Sequence, residues 1–346
     1  MDDRKNLLRS ADRGTWAVIV LVGTIVAVAA ATRSFHLVWD SFFKIGGACL
    51  AVAAGGLFYR NIRPDQKLAD ALSATAQILA FVALAAPLSY IAASASLPLW
   101  DQILIHWDER LGLNWQGLLT AMNAHPELHP LFALAYMSIK IQTVAVFLAL
   151  ALTGRAIRLR VFMLAFMAAT LITIVISMLM PAQGVWGELH LAATDYPAIA
   201  PVTQHSHLSI FHGLRDGSHR ELLAEGADGI VTFPSLHAAL ALLFAFALWP
   251  VRYLRWAVLV LDMLMLSATP IDGGHYFSDV IAGSAIAMLC WIACSRLLSP
   301  AGRSVPWTVE ALAIPLAPEL PRGNAPAEVA PTAAHPETAA ARELAN

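Results

Sequence analysis

The chain has 346 residues, a formal charge of −2 and a composition of 58% hydrophobic against 13% charged residues. Soluble proteins run near ~45–50% apolar and ~25% charged, so this sequence cannot furnish a water-facing surface, and its mean hydropathy of +0.63 directs the apolar surplus toward lipid. The near-neutral balance carries no polyelectrolyte signature and argues against nucleic acid as a partner.

Apolar runs near the ~20 residues needed to cross a bilayer occur at roughly 15–32, 41–59, 71–95, 130–152, 161–180, 233–250, 253–269 and 279–298. They predict an all-α, polytopic membrane helix bundle of about eight transmembrane helices, set in a lipid bilayer. Cys49, Cys290 and Cys294 lie inside apolar stretches, where a disulfide framework or thiolate metal site would be out of place. With a cytoplasmic N-terminus, sixteen of the Lys and Arg residues fall on the cytoplasmic side, against Arg33, Arg110, Arg215 and Arg220 on the other. That asymmetry places both termini in the cytoplasm, and the expected setting is a bacterial inner or plasma membrane.

In chain order, residues 1–14 form a cytoplasmic N-terminus and 15–95 carry three membrane spans. The first run is longer than the ~7–15 residues of a signal-peptide core and is read as a retained helix. Residues 96–129 form an extracytoplasmic interfacial segment. There Trp100, Leu104, Trp107, Leu111, Trp115 and Leu118 recur at helical spacing, with Asp101, Asp108 and Glu109 between them. The pattern suits either a helix lying in the membrane interface or one capping the bundle. Residues 130–299 form the catalytic membrane bundle, interrupted by a loop at 181–232 that holds His190, His205, His207, His212 and His219. Residues 300–346 are rich in Pro and Ala and read as a disordered cytoplasmic tail. No repeat of 20–50 residues is evident.

Two strings carry chemistry. Phe233-Pro234-Ser235-Leu236-His237 opens the sixth run. Proline near a helix start with serine as N-cap leaves backbone N–H groups pointing outward, a setting that attracts phosphate, and His237 lies within one turn of that end. Gly273-Gly274-His275-Tyr276-Phe277-Ser278-Asp279-Val280-Ile281-Ala282-Gly283 opens the eighth run. If helical, His275 and Asp279 share a face. A carboxylate on one imidazole nitrogen fixes the tautomer and leaves the other nitrogen as nucleophile or base. A membrane hairpin joins the two helix starts, so both emerge at the same bilayer face, read as the extracytoplasmic one, and can meet.

These strings resemble the second and third motifs of the type 2 phosphatidic acid phosphatase superfamily, most closely its inositol phosphorylceramide synthase-like, inositolphosphotransferase branch. The likeness is close over Phe233 to Gly283 and looser at Met180-Pro181-Ala182 and from Trp100 to Trp115. It implies a six-helix phosphatase-like core, with His275 as the nucleophile forming a phosphohistidine and Asp279 orienting it. By the same likeness His237 protonates the leaving alkoxide or assists the second step, and neither metal nor other cofactor is implied. Two features depart from the superfamily pattern: its first motif, a lysine followed by Arg-Pro, has no counterpart, and Thr269 stands where the third motif usually has arginine.

The phosphate is expected to meet Ser235, Leu236 and Gly274. Arg215 and Arg220 are the only cations in the facing loop and enter as candidate phosphate partners. Lys140 and Asp262 lie about midway through their runs, too deep for direct phosphate chemistry, and are read as a structural pair or as serving a substrate headgroup or an ion pathway. His205, His207, His212, His237 and His275 offer a zinc alternative, although no HExxH-type spacing supports it. The leading reading is a membrane lipid phosphoryl or phosphoester transferase, or a phosphatase, with transfer slightly favoured. The alternative is a small transporter or lipid flippase using Lys140 and Asp262.

Overall fold

A computed structural model describes residues 2–190, 196–199, 201–202, 204–224 and 229–299. The chain divides into units Met1–Val305 and Pro306–Asn346, and every described residue belongs to the first. The tail expected over 300–346 lies outside the described residues.

The elements run α1 (Asp2–Thr32), β1 (His36–Leu37), α2 (Trp39–Asn61), α3 (Gln66–Ala93), α4 (Asp101–Arg110), α5 (Trp115–Ala124), α6 (His129–Met137) and α7 (Ile139–Leu152). They continue with α8 (Ala156–Leu179), α9 (Val185–Glu188), α10 (Gln204–Asp216), β2 (Glu221–Leu222), α11 (Leu236–Leu248), α12 (Arg255–Asp272) and α13 (Phe277–Leu297). The fold is an all-α helical bundle. Among the described residues its only strands are β1 and β2, a parallel pair with His36 opposite Glu221 and Leu37 opposite Leu222.

All eight apolar runs are helical. Five helices, α1, α2, α3, α8 and α13, are long and apolar enough to cross a membrane, and a sixth span arises if α6 and α7, bent by 51°, count as one. Of the remaining two runs, α11 is a shorter apolar helix of 13 residues, and α12 carries Arg255, Asp262 and Asp272. Large apolar side chains such as Val20, Leu50, Ile141 and Leu289 stand outward. That outward apolar surface is what a lipid surround requires.

Of the five long apolar helices α3 is the most enclosed, packed by α1, α2, α7 and α8. Asp65 caps it by accepting from the N–H groups of Lys67 and Leu68, and its many alanines let neighbouring backbones approach. At one end Arg160 of α8 donates to Asp12 of α1 at 3.0 Å and to Asp70 of α3 at 2.7 Å. Three helices are thereby tied by a buried charge cluster whose members satisfy one another.

Two expectations need correction. The interfacial segment is not one helix but two, α4 and α5, broken at Gly112, whose φ of +71° lies in the left-handed region. It caps the bundle: Leu104 and Trp115 are buried, and so are Asp101 and Asp108. The segment 181–232, expected as a loop, contains the 13-residue helix α10 as well as α9 and β2.

Candidate active site

The site forms where α11 and α13 begin. Ser235 is the N-cap of α11, with extended backbone at φ −68° and ψ 118°, and its Oγ accepts from the N–H of Ala238. His237 is the second residue of the helix and only partly buried. The first intrahelical bond runs from Ala239 N to Ser235 O, so the N–H groups of Leu236 and His237 precede it at the positive end of the helix.

The chain enters α13 through Gly273 and Gly274. Gly274 takes φ +65° and has no room for a side chain, since a Cβ there would lie 2.7 Å from Trp186 Cδ1. Its carbonyl accepts from Val185 N at 2.9 Å. His275 then stands just before the helix, not on it. The expected pairing with Asp279 does form, but by another route than a shared helix face: Asp279 is in the first turn of α13, and its Oδ2 reaches back to Tyr276 N and His275 Nδ1, both at 3.0 Å. With a carboxylate as its partner, Nδ1 carries the ring proton and Nε2 keeps its lone pair. That Nε2 lies 3.5 Å from Ser235 Oγ. Burial pushes the His275 imidazole down to about 4, against a hydrogen bond with the Thr232 backbone that raises it, so the ring is neutral at ordinary pH.

The other α13 donors are already engaged. Phe277 N and Ser278 N both donate to the Asp108 carboxylate at 2.8 Å. Asp101 accepts from Gln183 N at 3.1 Å, Gly184 N at 3.0 Å and the Tyr276 hydroxyl at 2.8 Å. Both carboxyls are pushed up by burial and pulled back by these bonds, and the facing Asp101 together with burial keeps the Tyr276 phenol protonated. The capping helix α4 thus clamps the turn that presents His275. Indole N–H groups of Trp115 and Trp186 take the carbonyls of Pro270 and Ile271 at 3.1 and 2.9 Å, satisfying acceptors at the C-terminal end of α12.

Tyr136 of α6 stacks on His237, with ring centroids 4.0 Å apart and planes inclined by 11°. A Cβ built on Gly273 would lie 2.9 Å from the Tyr136 hydroxyl and 2.5 Å from His275 Cδ2, so the turn before α13 has no room for a side chain there. His207 Nε2 lies 3.5 Å from Thr232 Oγ1.

Lys140 is the second residue of α7, just past the 51° bend that separates α6 from α7. The expected Lys140–Asp262 pair is absent: Asp262 is buried, and neither carboxylate oxygen has a hydrogen-bond partner among the described residues. Arg215 donates to Leu97 O at 2.9 Å and lies over the Phe211 ring. Arg220 lies over Phe35. None of these contacts involves Ser235, His237 or His275. The side chain of His205 lies outside the described residues, and no group of three His, Cys, Asp or Glu placed to hold a metal occurs among those described.

Sequence reasoning missed Tyr136, Asp101 and Asp108 as parts of this arrangement, and grouped His207 with His237 and His275 only as a zinc alternative. The acidic residues recurring within the tryptophan-rich segment were the available signal, since carboxylates buried beside tryptophans require donors.

The arrangement defines a polytopic helix bundle in which two histidine-bearing helix starts lie at one end, one of them paired with a buried aspartate. Residues 102–293, more than half of the chain, match the PAP2 superfamily, and the chain belongs to that superfamily. Among curated proteins and solved structures no match is found. Membership supports a phosphatase- or phosphotransferase-type enzyme.

Proposed function

We propose that the protein moves a phosphoryl or phosphoester headgroup on a membrane lipid through a phosphohistidine on His275. The observation that carries the reading is the orientation of His275, its Nδ1 on Asp279 and its Nε2 facing the start of α11. In the first step Nε2 attacks phosphorus, the ester P–O bond breaks, and His237 gives a proton to the departing alkoxide. In the second step His237 takes a proton from water or a lipid alcohol, whose oxygen attacks phosphorus as the N–P bond breaks. Asp279 holds the tautomer and balances the charge that grows on His275. No step calls for a metal or other cofactor.

The absence of the lysine and arginine of the first and third superfamily motifs favours a substrate with less charge than a phosphomonoester dianion. That supports transfer over hydrolysis and the inositolphosphotransferase-like branch. The placement of Lys and Arg along the sequence supports cytoplasmic termini, with the histidines at the extracytoplasmic face of a bacterial inner or plasma membrane.

The test incubates purified protein in detergent with phosphatidic acid, isoprenyl diphosphate, phosphatidylinositol and ceramide, with and without chelator. Release of inorganic phosphate identifies hydrolysis, and a new phospholipid identifies transfer. Loss of activity with chelator would overturn the metal-free scheme.

A further inference from the structure

A second feature lies directly beneath the histidines. A cavity of about 350 Å³ is bounded by α3, α7, α8, α11 and residues 229–231. Its wall includes Leu236, the residue between Ser235 and His237, and Leu240 one turn deeper. Along α3 it extends from Ser89 to Ile78, a length of roughly 16 Å at the helical rise per residue.

The wall offers little to water. The hydroxyls of Ser89, Thr143 and Thr170 each donate to a carbonyl of their own helix, at 2.7, 2.7 and 2.9 Å. Among the described residues that line the cavity Lys140 is the charged one, and it shares that lining with Leu236, the neighbour of His237. Val82 and Val144 line the cavity and also stand on the outer surface of the bundle, so the space opens sideways, where lipid would lie. At ~30 Å³ per water-sized group the volume holds on the order of ten such groups, a good part of one hydrocarbon chain. An apolar slot with one cation and a lateral opening, continuous with the N-terminus of α11, is complementary to an anionic amphiphile.

We propose that this cavity takes a hydrocarbon chain of the phosphate-bearing lipid substrate, and that Lys140 at its upper wall carries the phosphate charge for which the superfamily's usual lysine and arginine are missing. The proposal rests on the phosphoester reading above. It adds where the tail lies and which cation binds the head.

The test compares dioleoyl with dihexanoyl phosphatidylinositol, a phosphodiester, in mixed micelles, for wild type, Ala85→Phe and Val144→Trp, both substitutions of cavity-lining residues. The preference for the long chain, as a ratio of kcat/KM values, should fall about tenfold in each variant. Lys140→Met should raise KM about tenfold for both lipids, with Lys140→Arg restoring most of the loss. Equal losses on the two chain lengths, or an unchanged KM in Lys140→Met, would overturn the assignment. A phosphatidylinositol carrying a photoreactive diazirine in its chain supplies a readout free of turnover. Crosslinks on α3, α7, α8 or α11 support the cavity, and crosslinks confined elsewhere refute it. Crosslinks in the cavity from a protein that turns over none of the phospholipids would refute the enzymatic reading and leave the binding site standing.

Discussion

A Cβ added to Gly283 would come within 2.1 Å of the Ser235 carbonyl oxygen. The two helices touch backbone to backbone here, and one turn earlier Ser235 N donates to the carbonyl of Asp279 at 3.1 Å. This contact sets the distance between the serine of one motif and the histidine of the other. Elsewhere in a helix, Gly→Ala gains up to ~1 kcal/mol. Gly283→Ala should instead push α11 from α13, lower the thermal unfolding temperature in detergent and cut turnover by about a hundredfold or more. Gly46, whose added Cβ would meet nothing within 4 Å, is the control: Gly46→Ala should cost nothing. Wild-type activity in Gly283→Ala would separate the site from this contact.

Replacing His275 with alanine should abolish turnover and the trapping of radiolabelled phosphate on the protein. Asp279→Asn keeps the shape but can leave the lone pair on the wrong nitrogen, so a loss of about 10³-fold or more in kcat is expected. Phosphate trapped on a His275→Ala protein would remove His275 as nucleophile.

The neutral state of His275 makes a pH prediction. Its imidazole is held at about 4 by burial, below the ~6.5 of an exposed histidine. Between those values the unfolded chain binds a proton that the folded chain refuses, so stability rises with pH through the window and is lost as pH falls from ~6.5 toward 4. Attack on a phosphodiester probe, which does not itself ionise there, should hold down to about pH 5 because the nucleophile stays unprotonated. Because His237 must itself be unprotonated for the second step, the reading is taken from the first step: formation of the labelled phosphohistidine failing at the ordinary histidine value would show that His275 is not buried in the working enzyme.

Asp101 serves three donors from two segments of chain: Gln183 N, Gly184 N and the Tyr276 hydroxyl. Asp101→Ala leaves them without an acceptor and should destabilise by about 2–4 kcal/mol, read as an earlier loss of folded protein on heating in detergent. Asp108→Ala should behave similarly, since Phe277 N and Ser278 N would then face only water or apolar neighbours. If either variant melts with the wild type, α4 does not clamp the His275 turn.

Tyr136 supports His237 through its ring face. Tyr136→Phe keeps the stack and should retain most of the activity, whereas Tyr136→Ala should lower kcat about tenfold or more by releasing the imidazole. Equal losses in the two variants would assign the effect to the hydroxyl instead.

Much of this was legible along the chain. Eight apolar runs became helices because a bilayer interior leaves a backbone no partner except itself. The N-cap serine and the His275–Asp279 spacing could be read because both are local. The hydrogen bonds there span only three or four residues. The capping helices were harder to read. The tryptophan pattern suggested one helix, but Gly112 breaks it, and nothing local indicated that Asp101 would bond Tyr276 across 175 positions.

Sequence by itself determined the membrane-bundle class and the two histidine-bearing helix starts, since hydropathy and capping act between near neighbours in the chain. Only the tertiary structure decided that Gly283 meets Ser235, that Tyr136 lies on His237 and that Asp262 does not pair with Lys140. Those outcomes depend on how helices cross and where one bends, set by side-chain volume and backbone approach between residues far apart in the chain.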